Sequence, residues 1–176
     1  MKKIIKPKPN IIKLYVIAIL IIVLGIIAYL FSPINTKLYF PLTNKTIKDI
    51  TSFYGYRKHP IIGKEEFHNG IDIKASEGEY VYAVYDGIVK VAGYDERSGN
   101  KIVIQHPGFY SHYAHLKDIF VKENQKVKKG DIIGTVGATG LATAPHLHFG
   151  LSKLGLTENV RIFLNPLKDV KYENFA

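Results

Sequence analysis

Residues Leu14 to Phe31 read LYVIAILIIVLGIIAYLF, an 18-residue run without a charge. Wound as a helix at about 1.5 Å per residue, it covers roughly 27 Å, close to the hydrocarbon thickness of a bilayer, about 30 Å. A helix packed on a water-soluble core keeps a polar face, and this run has none. It therefore predicts one transmembrane helix over residues 14–31. Lys13 can snorkel at the near end, and Pro33 stops the helix at the far end. Lys2, Lys3, Lys6, Lys8 and Lys13 precede the run with no acid among them, while only Lys37 follows it closely, with Lys45 and Lys48 beyond. The positive-inside rule then puts the N-terminus in the cytoplasm and residues 32–176 outside, as a single-pass membrane protein. A cleaved signal peptide would have a shorter apolar stretch, about 7–15 residues, and a small-x-small exit. Ala28-Tyr-Leu-Phe-Ser-Pro33 is a poor exit, so an uncleaved signal anchor is expected.

That division changes the meaning of the charge. The formal net charge is +9, but five of the lysines fall on the cytoplasmic side, and residues 35–176 carry 19 Lys/Arg against 15 Asp/Glu, a net of +4. A mild excess outside the cell suits an anionic polymer. With no dense basic stripe in an exported domain, nucleic acid is not expected as a partner. The chain has no cysteine, which removes disulfides and any lipid anchor on cysteine.

Residues 1–13 read as a basic cytoplasmic tail, and 32–49, with two prolines and little pattern, as a linker. From about Ile50 the chain breaks into short β-rich pieces. Tyr80–Tyr85 stops at Asp86-Gly87, Ile88–Ala92 at Gly93, and Lys101–Gln105 follows Ser98-Gly-Asn100. Phe109–His115 follows Pro107-Gly108, and Ile132–Val136 follows Lys129-Gly-Asp131. β-branched and aromatic runs joined by Gly, Asp and Asn predict hairpins, hence a mainly β domain built as an antiparallel folded sheet or sandwich. Residues 169–176 are left as a C-terminal tail.

Three short pieces carry the chemistry. His68 and Asp72 stand four apart across Asn69-Gly70, where the glycine allows a tight turn into Ile71-Asp-Ile73. His146-Leu-His148 is more specific: on a strand, residues i and i+2 share a face, so both imidazoles point one way and Leu147 and Phe149 the other. Two histidines on one face are costly to bury unless paired or metal-bound. Strict alternation along Phe109–His115 puts Ser111, Tyr113 and His115 on one face and Tyr110, His112 and Ala114 on the other, so His112 and His115 should not act together unless the strand is bulged.

Taken in order, His68-x-Gly-x-Asp72, Tyr113-x-His115-Leu and His146-Leu-His-Phe149 resemble the lysostaphin-type, LytM-like zinc metallopeptidases that cut peptidoglycan stems and cross-bridges. The resemblance extends to Phe53–Pro60, to Phe67–Ile73, to Val81–Val89 and Val127–Gly134, and to Gly137–Gly140 followed by Pro145–Phe149, covering about residues 50–168. It implies the family's fold, a LytM-like (duplicated hybrid motif) folded sheet. It also implies one zinc ion held by His68, Asp72 and His148, with His115 and His146 as the catalytic acid–base pair. Three ligands with an open fourth position are the inventory of a hydrolytic zinc site. The sequence departs from the family's pattern at Ala144, where glycine is usual, and at Gly150, where glutamate is common. His59, His106 and His112 receive no ligand role.

By that resemblance the chain is a membrane-anchored zinc endopeptidase at a bacterial cytoplasmic membrane, acting on peptidoglycan peptides. The alternative is a non-enzymatic relative, a scaffold or activator with an envelope-protein partner at division or sporulation. Such relatives have lost ligands, and here all five residues are present. The Val127–Gly134 hairpin also resembles biotinyl or lipoyl carrier domains, which carry no histidine constellation.

Overall fold

The computed structural model describes residues 11–31, 37–58, 63–154 and 161–173. His59 lies outside them. The chain forms two compact units, Met1–Ser32 and Pro33–Ala176.

The first unit is one helix, α1 (Ile11–Phe31), 21 residues long. It begins three residues before the charge-free run and takes in Lys13. It is long and apolar enough to cross a membrane, and the side chains of residues 11–28 are all exposed. No charged face interrupts it, as the uninterrupted run requires.

Among the described residues the second unit is almost entirely β, in fourteen strands: β1 (Lys37–Leu38), β2 (Ile50–Ser52), β3 (Gly55–Lys58), β4 (Glu65–His68), β5 (Ile71–Lys74), β6 (Tyr80–Tyr82), β7 (Gly87–Asp95), β8 (Gly99–His106), β9 (Phe109–Ile119), β10 (Lys126–Val127), β11 (Ile132–Val136), β12 (His146–Leu154), β13 (Arg161–Leu164) and β14 (Lys171–Tyr172). The main sheet runs β10-β7-β8-β9-β12-β5-β2, with β13 on β12 and β11 joining β9 to β6. All its pairings are antiparallel. β3 and β4 form a separate hairpin. Four of the five strands expected from the turn signals lie within these bounds; the run Tyr80–Tyr85 is a strand only over Tyr80–Tyr82, and residues 83–86 bend into the turn before β7.

Alternation decides which side chains enter the core. Ile71 and Ile73 on β5, Ile102 and Ile104 on β8, and Leu147 and Phe149 on β12 are all fully buried, each set two residues apart. Each such side chain contributes about 1.5–3 kcal/mol by leaving water. The opposite faces of β5 and β12, carrying Asp72, His146 and His148, are thereby turned to a cleft.

The expected linker and tail differ from what is observed. Leu38, Phe40 and Leu42 are fully buried in the second unit's core. β1 pairs in parallel with β14, Lys37 opposite Lys171 and Leu38 opposite Tyr172. The Tyr39 amide donates to Val84 O at 2.9 Å, and the Phe40 ring meets Tyr172 edge-on with centroids 5.0 Å apart. The apolar residues at 38, 40 and 42 alternate as a strand does, and the strand that Leu38 pairs with is at the far end of the chain. The folded unit therefore begins before Ile50 and extends past residue 168.

Candidate active site

β5 and β12 lie side by side with Asp72 opposite His148 and His146 opposite Lys74. His68, the last residue of β4, reaches the same point across Asn69-Gly70. The turn must come very close to β12: a β-carbon at Gly70 would lie 2.4 Å from Phe149 O. Glycine is needed there for lack of room, since its backbone does not take up the left-handed conformation.

Three donor atoms converge. His68 Nε2 lies 3.1 Å from Asp72 Oδ1 and 2.9 Å from His148 Nδ1, and His148 Nδ1 lies 2.9 Å from Asp72 Oδ1. The His68 tautomer is set from behind, because Nδ1–H donates to Phe53 O at 2.9 Å, leaving a lone pair at Nε2. A lone pair, a carboxylate oxygen and a second imidazole nitrogen held this close need a shared proton or a cation among them. A tetrahedral ion with bonds of about 2.0–2.1 Å separates its ligands by about 3.3 Å, and these atoms fall just short of that. The three residues fit a metal ion, and they form a group that could hold one. Burial acts to raise the Asp72 carboxyl, but its contacts with His148 and His68 outweigh this and hold it well below the usual carboxylate range. Burial lowers the His148 imidazole, against the pull of Asp72.

His115 reaches this cleft by a route that alternation does not describe. On β9, Tyr113 pairs with Ile102 and Leu116 with Asn100, so Ala114 and His115 together face only Lys101. The extra residue is a β-bulge, and His115 takes a left-handed φ of 61°. Bulges re-aim side chains. Tyr113 and Leu116 are both fully buried in the core, whereas His115 turns out to the cleft, its ring 4.8 Å from that of His146 and 6.0 Å from that of His148. Its amide donates to Ser98 O at 2.8 Å.

The two non-triangle histidines are oriented alike. His115 Nδ1–H donates to Thr139 O and His146 Nδ1–H to Ala144 O, both at 2.8 Å. Each ring is thus left with its lone pair at Nε2, and that of His146 stands 3.8 Å from Asp72 Oδ1. Burial lowers His115 to about 4, with the bond to Thr139 opposing it and the nearby His146 and His148 adding to it. The carbonyl that orients His146 belongs to Ala144, one of the two departures from the family pattern. The substitution leaves the backbone acceptor in place. The cleft around these groups has a volume of about 1010 Å³.

Of the histidines given no ligand role, His112 borders the cleft and bonds Ser152 Oγ at 2.7 Å. His106 is only 4% exposed and lies within the sheet. Its Nδ1–H donates to Asp86 O at 2.9 Å, its Nε2 accepts from Ser111 Oγ at 2.7 Å, and its ring stacks on Phe109. Burial lowers it to about 4 against the pull of Asp86. A folded-state value below the unfolded one means that unfolding takes up a proton as pH falls. His106 therefore supports the fold fully above about pH 6.5, and this support is lost between about 6.5 and 4, amounting to about 2–3 kcal/mol. In urea titrations from pH 7 to 4.5, wild type should lose that much more stability than a His106→Gln variant.

Arg57 was given no role from the sequence. It lies on β3 within Phe53–Pro60, a segment quoted only for its resemblance, and its Nη2 is 3.3 Å from Asp72 Oδ2.

Comparison with known proteins agrees with this geometry. Peptidoglycan DD-endopeptidase ShyB of Vibrio cholerae is 44% identical over 108 residues, 60% of this chain and 25% of that protein. DD-carboxypeptidase/endopeptidase Mpg of Neisseria meningitidis is 42% identical over 101 residues, 57% of this chain and 23% of that one. The chain thus spans about a quarter of the length of these curated relatives. Among solved structures, a mutant catalytic domain of the prophage-encoded M23 protein EnpA from Enterococcus faecalis matches with a TM-score of 0.58 and 30% identity, over 78% of this chain and 96% of that one. The catalytic domain of the antimicrobial peptidase lysostaphin from Staphylococcus simulans matches with a TM-score of 0.56 and 30% identity, over 66% and 86%. The family model described as Peptidase family M23 matches residues 66–160. That match spans more than half of the chain and holds four of the five cleft residues on strands that also carry the core, and this chain belongs to peptidase family M23.

Proposed function

We propose that this chain is a single-pass membrane protein whose extracytoplasmic domain is a zinc endopeptidase of peptidoglycan. The bonds it cuts are proposed to be the D,D cross-links named for its relatives. The observation that carries the reading is the convergence of His68, Asp72 and His148 beside two oriented imidazoles in one cleft. α1 serves as the anchor in the cytoplasmic membrane, with the basic tail before it on the cytoplasmic side and the β domain outside the cell.

His68, Asp72 and His148 would hold one zinc ion, which supplies, when bound, a Lewis acid for the peptide carbonyl and the attacking water. The remaining work falls to this chain's own bases. His115 and His146 each have Nδ1–H committed to a backbone carbonyl, so Nε2 is the atom that takes or gives a proton. One imidazole accepts the proton of the attacking water and passes it to the leaving amine, while the other, protonated from solvent, hydrogen-bonds the developing oxyanion. The low basicity of buried His115 keeps it unprotonated, and so available as a base, at neutral pH. Arg57, Lys58, Lys74 and Lys101 border the cleft and suit the carboxylates of peptidoglycan stems.

The test is to incubate the full chain in detergent with purified sacculi and to identify released muropeptides by mass spectrometry. Products of cross-link cleavage are expected, abolished by EDTA and restored by zinc. Activity that survives EDTA would sink the zinc mechanism. Absence of both zinc and activity on any wall type would favour a non-enzymatic scaffold or activator in an envelope complex.

A further inference from the structure

We infer that Arg57 is a positioning residue for the metal centre: its guanidinium holds the outer oxygen of Asp72 so that a single carboxylate oxygen faces the ion. The inference rests on the metal-site reading given under Proposed function and goes beyond it, to a residue outside the ligand set.

The two oxygens of Asp72 are divided between two sets of neighbours. Oδ1 faces His68 Nε2 at 3.1 Å and His148 Nδ1 at 2.9 Å. Oδ2 faces Arg57 Nη2 at 3.3 Å. A carboxylate left to itself can swing both oxygens towards a cation; one whose second oxygen is held by a guanidinium offers the first alone. That preserves an open position for reaction and sets the carboxylate in the orientation the ion meets on binding.

The β3–β4 hairpin is built to place this group. Gly55 pairs with His68 and Arg57 with Glu66 in the antiparallel register. Cross-strand partners share a face, as do residues two apart on a strand. The ligand His68 and the guanidinium-bearing Arg57 therefore leave the hairpin on the same side. The other side carries Tyr56 and Phe67, whose rings meet at 5.1 Å, with Tyr54 on Phe67 at 5.1 Å. One small sheet thus delivers a ligand and the group that orients a second ligand.

The pose is not that of a surface arginine resting where it can. The side chain is 27% exposed, yet its Nε–H is buried with no hydrogen-bond partner among the described residues. Leaving a buried donor unpaired is a cost that an arginine swung out to water would avoid. The attraction of Asp72 holds it in. Lysine could supply the charge but not the planar, pre-organised fork.

The test measures zinc affinity of the full chain in detergent by chelator competition, together with the visible absorption of the cobalt(II)-substituted protein, for wild type, Arg57→Gln and Arg57→Lys. Second-sphere losses of this kind typically weaken metal binding about 10–100-fold, and that is the expected fall for Arg57→Gln. Its cobalt bands should weaken as a second carboxylate oxygen joins the ion, while the thermal midpoint of the metal-free protein stays at the wild-type value. Arg57→Lys should recover part of the affinity but not the wild-type bands. Equal affinity and equal bands in Arg57→Gln and wild type would overturn the inference. So would a loss of affinity accompanied by a lower metal-free midpoint, which is the mark of a packing role. A wild-type chain that binds neither ion would overturn the metal-site reading itself, and this inference with it.

Discussion

His148→Ala protein is expected to purify with little or no zinc, and its release of muropeptides from sacculi to fall to background. Metal affinity in protein zinc sites corresponds to about 10–16 kcal/mol, and one of three protein ligands carries roughly a third of it, so zinc binding should weaken by about 10²–10⁴-fold. Metal analysis by mass spectrometry alongside the sacculus assay checks both halves. The change should not disturb the sheet, because Leu147 and Phe149 on either side keep their places in the core. Circular dichroism of the variant should therefore match wild type. A variant that keeps its zinc and its activity would show that His148 Nδ1, although within 2.9 Å of both other donors, is not a ligand.

Replacing His115 or His146 with alanine is expected to produce the opposite combination, zinc retained and hydrolysis lost. Neither residue belongs to the group of three that could hold a metal, and each presents an Nε2 lone pair because its Nδ1–H is bound to a carbonyl. General acid–base assistance is typically worth about 10²–10⁴-fold, and each single variant should lose rate on that scale. The double variant should be little worse than either single one, because residues that act as a unit are not additive. Rates on a defined cross-linked peptide, set beside zinc content, separate this from ligand loss. A His146→Ala enzyme with both full zinc and full rate would remove that residue from the chemistry.

The two catalytic-type histidines differ in how well the sequence announces them. His146-Leu-His148 is legible because a strand's period of two fixes its faces, and Leu147 and Phe149 are indeed buried on the far side. His115 is not legible that way. Alternation assigns it to the face of Tyr113, and only the bulge opposite Lys101 turns it to the cleft. Its motif, Tyr113-x-His115-Leu, pointed to it by resemblance. Leu38 and Phe40 were hidden for another reason: β1 is only two residues long and its partner, β14, whose Tyr172 also meets the Phe40 ring, is remote in sequence. Local pattern cannot reveal a pairing between the two ends of a domain. Arg57 was masked by its type, since an arginine on an edge hairpin reads as solvated until the carboxylate behind it is seen.

The clasp of β1 on β14 also decides where a mechanical load would enter the domain. A pull passed along the chain from residues before Lys37 meets first the β1–β14 pairing, the Tyr39–Val84 hydrogen bond and the wedge of Leu38, Phe40 and Leu42. Asp72, His146 and His148 lie on β5 and β12, further along the chain than that wedge. Under a pull from that side, the clasp is thus the first part of the β domain to open, ahead of the strands that carry the cleft residues.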